Sequence, residues 1–291
     1  MSKSQKHNTP MSVRIRLLNL SRAMNVDYMK ILVRYLQERL LYRIAISDYQ
    51  SHLLLKGSAL LYAHQPYNAR PTVDIDFLGH KWRNNANKIR NAFEQICLLS
   101  CAEDGVLLDT ETIRLESIAI EKKYPGFCVT IDAHLDTICQ PISVDICFGD
   151  VVTPAPVLLS YPALLDEMPQ PKLWAYSLES SIAEKFHAMI ERDSQNSRMK
   201  DFFDVYTLLN DYEIDEVILK SAIRETFRNR GTHYSEYAAL YSTEFATDPS
   251  RVKQWNAFLK KIRYSESLPF MDVVSFICKC LKPYWTTENI E

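Results

Sequence analysis

Leu53-Leu54-Leu55-Lys56-Gly57-Ser58-Ala59-Leu60-Leu61-Tyr62, followed by Val73-Asp74-Ile75-Asp76-Phe77-Leu78, is the part of the sequence that decides the fold. Three leucines make a short apolar run, the small pair Gly57-Ser58 turns the chain, and Ala59 to Tyr62 continues as helix. The second segment alternates with period two. Asp74 and Asp76 therefore share one face of a strand, while Val73, Ile75 and Phe77 point to the other, into a core.

On the N-terminal side, Tyr28 to Ile46 has helical periodicity. Ile31, Tyr35, Leu36, Leu40 and Ile44 form its apolar stripe, with Lys30, Arg34, Gln37, Glu38 and Arg39 largely off it. Residues 1–12 are polar and expected to be mobile. On the C-terminal side, residues 82–99 form an amphipathic helix through Ile89, Ala92, Phe93 and Ile96. Strands are expected at 107–108, 113–115, 129–131 and 142–148.

The composition then changes: Pro154, Pro156, Pro162, Pro169 and Pro171 crowd one stretch, which implies a linker or an extended crossing segment. After it the pattern is helical, over about 178–192, 200–211, 214–228, 251–263 and 270–281, with Ser250 and Asp272 as N-cap or first-turn residues. The expected fold is α/β (α+β). Residues 1–153 form an α/β domain on a mixed sheet, 154–176 a proline-rich linker, and 177–291 a helical domain.

The 291 residues carry 34 basic and 36 acidic side chains, a net charge of −2, with 47% hydrophobic content. These values exclude wholesale disorder and a chain-wide polyanion binder, but not a local basic cleft. No apolar run is long enough to span a membrane, and no signal core begins the chain, so a cytoplasmic protein is expected. The seven cysteines lie mostly in apolar runs without a C-x-x-C pair, and read as small buried hydrophobes rather than zinc ligands.

Two carboxylates about 6–7 Å apart along a strand repel one another and call for a cation, a proton or open water. A hard divalent ion such as Mg²⁺ or Mn²⁺ satisfies them together with phosphate oxygens. The plainer alternative is a solvated strand face. The Gly57-Ser58 turn at a helix start suits a phosphate, with Ser58 adding a hydroxyl and Gly57 allowing close approach; the plainer alternative is an N-cap by Ser58. A third acid, Asp145, interrupts the apolar Ile142 to Phe148, and Asp132 competes with it. Three acids can hold two metals, the arrangement of phosphoryl and nucleotidyl transfer. Arg70, upstream of Asp74, is a candidate triphosphate contact.

In the helical half, Lys185 and Arg192 share a face away from the stripe Ile182, Phe186 and Met189. Asp201 and Asp204 share a face, as do Lys200 and Asp204. Lys185 could serve a triphosphate, or simply pair with Asp204, with Arg198 or Lys200 pairing with Asp201. His187 is read as packing. The sets Lys81, Arg83, Lys88, Arg90 and Arg224, Arg228, Arg230 are read as solvated faces rather than RNA contacts.

Gly57-Ser58 with Asp74-x-Asp76 resembles the DNA polymerase β type nucleotidyltransferase superfamily. Ala183-Glu184-Lys185 through Arg198 to Lys200-Asp201-Phe202-Phe203-Asp204 is similar to the signature of the AbiEii/AbiGii toxins. These are nucleotidyltransferases of type IV toxin–antitoxin and abortive-infection systems, related to the MenT toxins. The resemblance covers about residues 50–210, in four blocks in the family's order. It implies a nucleotide held in a cleft, Asp74 and Asp76 as metal ligands, and Ser58 at the phosphates; Asp145 as a further metal ligand and Gly57 and Arg70 as further phosphate contacts come from the residues themselves. Lys185 and Asp204 would be essential, with Lys200 and Asp201 beside the nucleotide. It further implies an NTP substrate, an acceptor such as the 3′ end of a tRNA, and a cognate antitoxin that acts without direct contact. Two rivals remain open: a small-molecule nucleotidyltransferase of the antibiotic-modifying kind, and a catalytically silent nucleotide-binding regulator.

Overall fold

The structure is a computed structural model that describes residues 9–65, 74–82, 84–120 and 124–290. Arg70, Val73 and Arg83 lie outside the described residues. The chain divides into two compact units, the first made of residues 1–149 and 158–175, the second of 150–157 and 176–291.

The first unit opens with helices α1 (Thr9–Ala23) and α2 (Tyr28–Ala45). α1 begins inside the segment expected to be a mobile tail, because Val13 and Leu17 have a core to enter. Asp27 caps α2, its carboxylate accepting from the amides of Met29 and Lys30. Then come β1 (Leu53–Lys56), α3 (Gly57–His64), β2 (Asp74–Gly79) and α4 (Ala86–Cys97). β3 (Val106–Ile120), β4 (Tyr124–Leu135) and β5 (Ile138–Cys147) form an antiparallel meander. The separate strands expected at 107–108 and 113–115 are one strand with an irregularity between Asp109 and Arg114. Within the proline-dense stretch, β6 (Val157–Ser160) and β7 (Lys172–Ala175) are short strands.

Among the described residues, seven strands join one mixed sheet in the order β3-β4-β5-β2-β1-β7-β6. β2 runs antiparallel to β1 and parallel to β5. Leu55, Phe77 and Ile146 are register partners and fully buried. One residue further along each strand the pleat turns Lys56, Asp76 and Asp145 to the opposite face, and Cys128 and Glu116 extend that row across β4 and β3.

Gln37, Glu38 and Arg39, off the apolar stripe of α2, are nonetheless buried, because α1, α4, β5 and β7 all pack on this helix. A helix covered on several sides cannot keep a polar face in water. Glu38 pairs with Arg39 and accepts from the amide of Leu164 at 2.7 Å. Arg43 forks onto Asp104 at 2.7 and 3.3 Å.

The second unit is helical: α5 (Leu178–Arg192), α6 (Met199–Asp211), α7 (Glu216–Arg230), α8 (Thr243–Thr247), α9 (Pro249–Ile262), α10 (Phe270–Leu281) and α11 (Thr287–Ile290). Its core is aromatic: Phe186 lies against Phe227 and Trp285, and Phe202 against Phe245 and Phe270. Asp248, not Ser250, caps α9, where Pro249 takes the first helical position; Ser250 and Asp272 fall in first turns. Among the described residues no helix is long and apolar enough to cross a membrane.

Candidate active site

The acidic pair sits where β1 turns into α3. Gly57 has φ +67°, a left-handed backbone that favours glycine, and a Cβ on it would lie 2.1 Å from Asp76 Oδ2. The Asp76 carboxylate is therefore packed against the turn. The cap residue of α3 is Lys56, which makes no side-chain cap hydrogen bond; Ser58 is the second helical residue and buried, so the alternative of Ser58 as N-cap is corrected.

β5 lies directly beside β2, in parallel, with Asp145 as the register partner of Asp76 and Ser143 as that of Asp74. Asp132 lies on β4, paired with Pro141 and Asp109, and forms an ion pair with Arg114 at 3.6 Å. Of the two competing acids, Asp145 is the one adjacent to the pair. Burial pushes the Asp145 carboxyl up; a hydrogen bond from the Cys128 thiol opposes this, and the negative charge of Asp74 adds to the rise. The Cys128 thiol itself is pushed up to about 11, first by burial and then by Asp145.

Asp74, Asp76 and Asp145 are hard oxygen donors on neighbouring strands, and Asp145 feels the charge of Asp74, so the set matches a hard divalent cation in chemistry. Their side chains are not drawn into one cluster: among the described residues no group of three His, Cys, Asp or Glu is placed to hold a metal ion. Asp76 is turned against Gly57, and Asp74 is exposed.

In the helical unit, Lys185 on α5 donates to Asp204 Oδ2 at 2.7 Å and to Asp201 Oδ1 at 3.3 Å, both on α6. Arg198 lies 2.6 Å from Asp201 Oδ2. Asp201 and Asp204 are 2% and 3% exposed. Burial pushes Asp201 up, but Lys185, Arg198 and Lys200 together hold its carboxyl below the ordinary value. Lys200 is exposed. The salt-bridge alternative for Lys185 is thus realised in geometry, and it orients the ammonium.

Sequence reasoning missed a second polar network beside it. Arg230, assigned to a solvated face, is largely buried: it spans Asp150 at 3.1 Å and Glu184 at 3.2 Å, with His187 Nδ1 3.2 Å from it. Its place at the C-terminal end of α7, next to Gly231, turns it inward. His187 is fully buried, 2.8 Å from Thr232 Oγ1 and edge-on to Phe227, as packing requires. Arg224 and Arg228 are exposed, as are Lys81 and Lys88, whereas Arg90 donates to the carbonyl of Ile113. Cys97, Cys101 and Cys147 are buried, but Cys139 is exposed.

The fold is similar to that of JHP933 from Helicobacter pylori: 15% identity over 88% of this chain and 95% of that one, with a TM-score of 0.51. A second H. pylori structure, of a candidate nucleotidyltransferase, shares 15% identity over 89% of this chain and 98% of that one, with a TM-score of 0.49. No protein of curated function matches the sequence. The family model of the nucleotidyl transferase AbiEii toxin, type IV toxin–antitoxin system, matches residues 39–276, which include the acidic row, the Gly57-Ser58 turn and the Lys185 cluster. This chain therefore belongs to the AbiEii family of nucleotidyl transferase toxins.

Proposed function

We propose that the protein transfers a nucleoside monophosphate from an NTP to an acceptor hydroxyl, using Mg²⁺ or Mn²⁺ held by Asp74, Asp76 and Asp145. The observation that carries this reading is the register of Asp76 with Asp145 on adjacent parallel strands, beside the Gly57-Ser58 turn. When bound, the divalent cation supplies charge neutralisation at the α-phosphate. Asp74, Asp76 and Asp145 are the residues that would hold it. The first turn of α3 offers amides, and Ser58 a hydroxyl, to the remaining phosphates. Lys185, oriented by Asp204 and Asp201, supplies a positive charge to the triphosphate. The acceptor hydroxyl gives up its proton to solvent, its oxygen bonds to the α-phosphorus as the α–β bridge breaks, and pyrophosphate leaves with the electron pair of that bridge. Arg70 is proposed as a further phosphate contact.

The acceptor we propose is the 3′ end of a tRNA, supported by the resemblance to the MenT toxins. The toxin family implies an antitoxin; we propose that it counteracts the product rather than the protein. The site of action is then the cytoplasm, where NTPs and tRNA are found.

The test is transfer from α-labelled NTPs to total tRNA and to a panel of small hydroxylated molecules. Wild type is expected to label RNA and release pyrophosphate only with a divalent cation, and Asp74→Ala and Asp76→Ala to lower this by at least about a hundredfold. Labelling of a small molecule instead would favour the antibiotic-modifying class. NTP binding without pyrophosphate release would favour a silent regulator. Full activity in both variants would refute the metal assignment.

A further inference from the structure

The acid-bearing face of the sheet continues onto β4. Cys128 is the antiparallel register partner of Asp145, and Thr130 that of Ser143, itself the partner of Asp74. Directly opposed residues share a face with Cβ atoms about 4.5–5.5 Å apart, so the thiol and the carboxylate are cross-strand neighbours. Val129 and Val144, each next in the chain to one of them, are fully buried on the other face, which fixes that direction. The Cys128 thiol donates a hydrogen bond to the Asp145 carboxylate. Thr130 Oγ1, two residues along the same face, lies 4.0 Å from Cys128 Sγ. Thr130, Cys128 and Asp145 thus form a short polar chain.

Packing alone does not account for this cysteine. Cys97 and Cys147 are buried, whereas Cys128 is half-buried on a face that carries Thr130, Ser143 and Asp145. There a small apolar side chain gains little from burial, and its S–H is the feature that finds a partner. The need for a partner lies with Asp145. Its carboxylate feels the negative charge of Asp74, and like charges turn a free side chain away from its neighbours. β4 and β2 flank β5 on opposite sides, so the thiol engages Asp145 from the side away from Asp74 and Asp76. A single S–H ties one carboxylate oxygen and leaves the other for a cation. A thiol is also a weak, uncharged donor. It steadies the carboxylate without cancelling the charge that a cation needs, whereas a lysine in its place would compete with the metal.

We propose that Cys128, backed by Thr130, is a positioning residue that holds Asp145 in the orientation in which it shares a divalent cation with Asp74 and Asp76. This rests on the metal assignment of the nucleotidyl-transfer reading and adds to it the group that orients one ligand. Carboxylates that bind a metal are themselves held by hydrogen bonds, and loss of such a partner weakens metal binding by about 10–100-fold.

The experiment is titration of the full chain with Mn²⁺, the free ion being read by electron paramagnetic resonance. Cys128→Ala is expected to bind Mn²⁺ about tenfold more weakly, and Cys128→Ser, which keeps a donor, to stay within about threefold of wild type. In an Asp145→Asn background, Cys128→Ala should change the remaining Mn²⁺ affinity by less than about twofold, because the residue it acts through is gone. If circular dichroism shows Cys128→Ala unfolded, Cys128→Val, closer in volume, is held to the same criteria. Wild-type Mn²⁺ affinity in the alanine variant, even with a lowered melting temperature, would make Cys128 a packing residue and overturn the proposal. So would failure of serine to rescue, or an equal loss in the Asp145→Asn background; each leaves the metal assignment standing. A wild-type chain that binds no Mn²⁺, or an Asp145→Asn variant that binds it as tightly as wild type, would overturn the metal assignment and the proposal together.

Discussion

Gly57 and Asp76 are packed so closely that no side chain fits between them: a methyl group on Gly57 would stand 2.1 Å from Asp76 Oδ2. The turn that would receive phosphate and the carboxylate that would hold the cation are thus one mechanical unit. Moving either moves the other.

Gly57→Ala is therefore expected to damage function more than stability. The left-handed backbone at φ +67° costs an alanine about 1–2 kcal/mol, and the methyl must displace the Asp76 carboxylate. Nucleotidyl transfer should fall by at least about tenfold, while the melting temperature drops by only a few degrees. Unchanged transfer kinetics in a folded Gly57→Ala would mean that Asp76 does not act at this turn.

Lys185 joins two buried carboxylates, which separates its structural role from its chemical one. Lys185→Met leaves Asp201 and Asp204 short of a partner, at a cost of about 3–5 kcal/mol. Adding Asp204→Asn should recover much of that stability, measured by urea unfolding, without restoring transfer. Recovery of both would reduce Lys185 to a salt bridge.

Asp201 titrates below the ordinary carboxylate value despite its burial. A depressed folded pKa contributes stability that is present above the unfolded value and is lost as pH falls through the folded one. Unfolding free energies followed into acid should therefore fall less steeply in Asp201→Asn than in wild type. Parallel acid slopes would contradict the assignment.

Glu38 has the opposite sign. Burial pushes its carboxyl up to about 7, against Arg39 and the Leu164 amide, which pull it down. A raised folded pKa means that the native state binds more protons than the unfolded chain between about pH 4.5 and 7, so stability falls as pH rises through that window. The slope for one proton is at most about 1.4 kcal/mol per pH unit. Glu38→Gln should remove this slope whatever its effect at a single pH.

Arg230→Met takes the guanidinium away from Asp150 and Glu184, and should destabilise the helical unit by about 3 kcal/mol. Near-ultraviolet dichroism of the Trp285 cluster, which includes Phe227 of the same helix, would report the loss.

The local periodicities were sufficient for many of the elements, though not for α1 or the short strands β6 and β7. Leu178 to Arg192 and Phe270 to Leu281 are helices at the limits that their apolar spacing implies, and Asp74 to Leu78 is a strand with its acids on one face. Both follow from interactions within a few residues. What lay beyond such spacing was set by partners distant in the chain. Asp145 is favoured over Asp132 by its place in an apolar run, but its position beside Asp76 follows only from β5 lying next to β2, because strand order depends on which surfaces pack together. Glu38 and Arg39 are polar residues on a helix that four other elements happen to cover, and nothing within α2 announces that cover. Arg230 turns inward because Asp150 and Glu184 wait for it, 80 and 46 residues away.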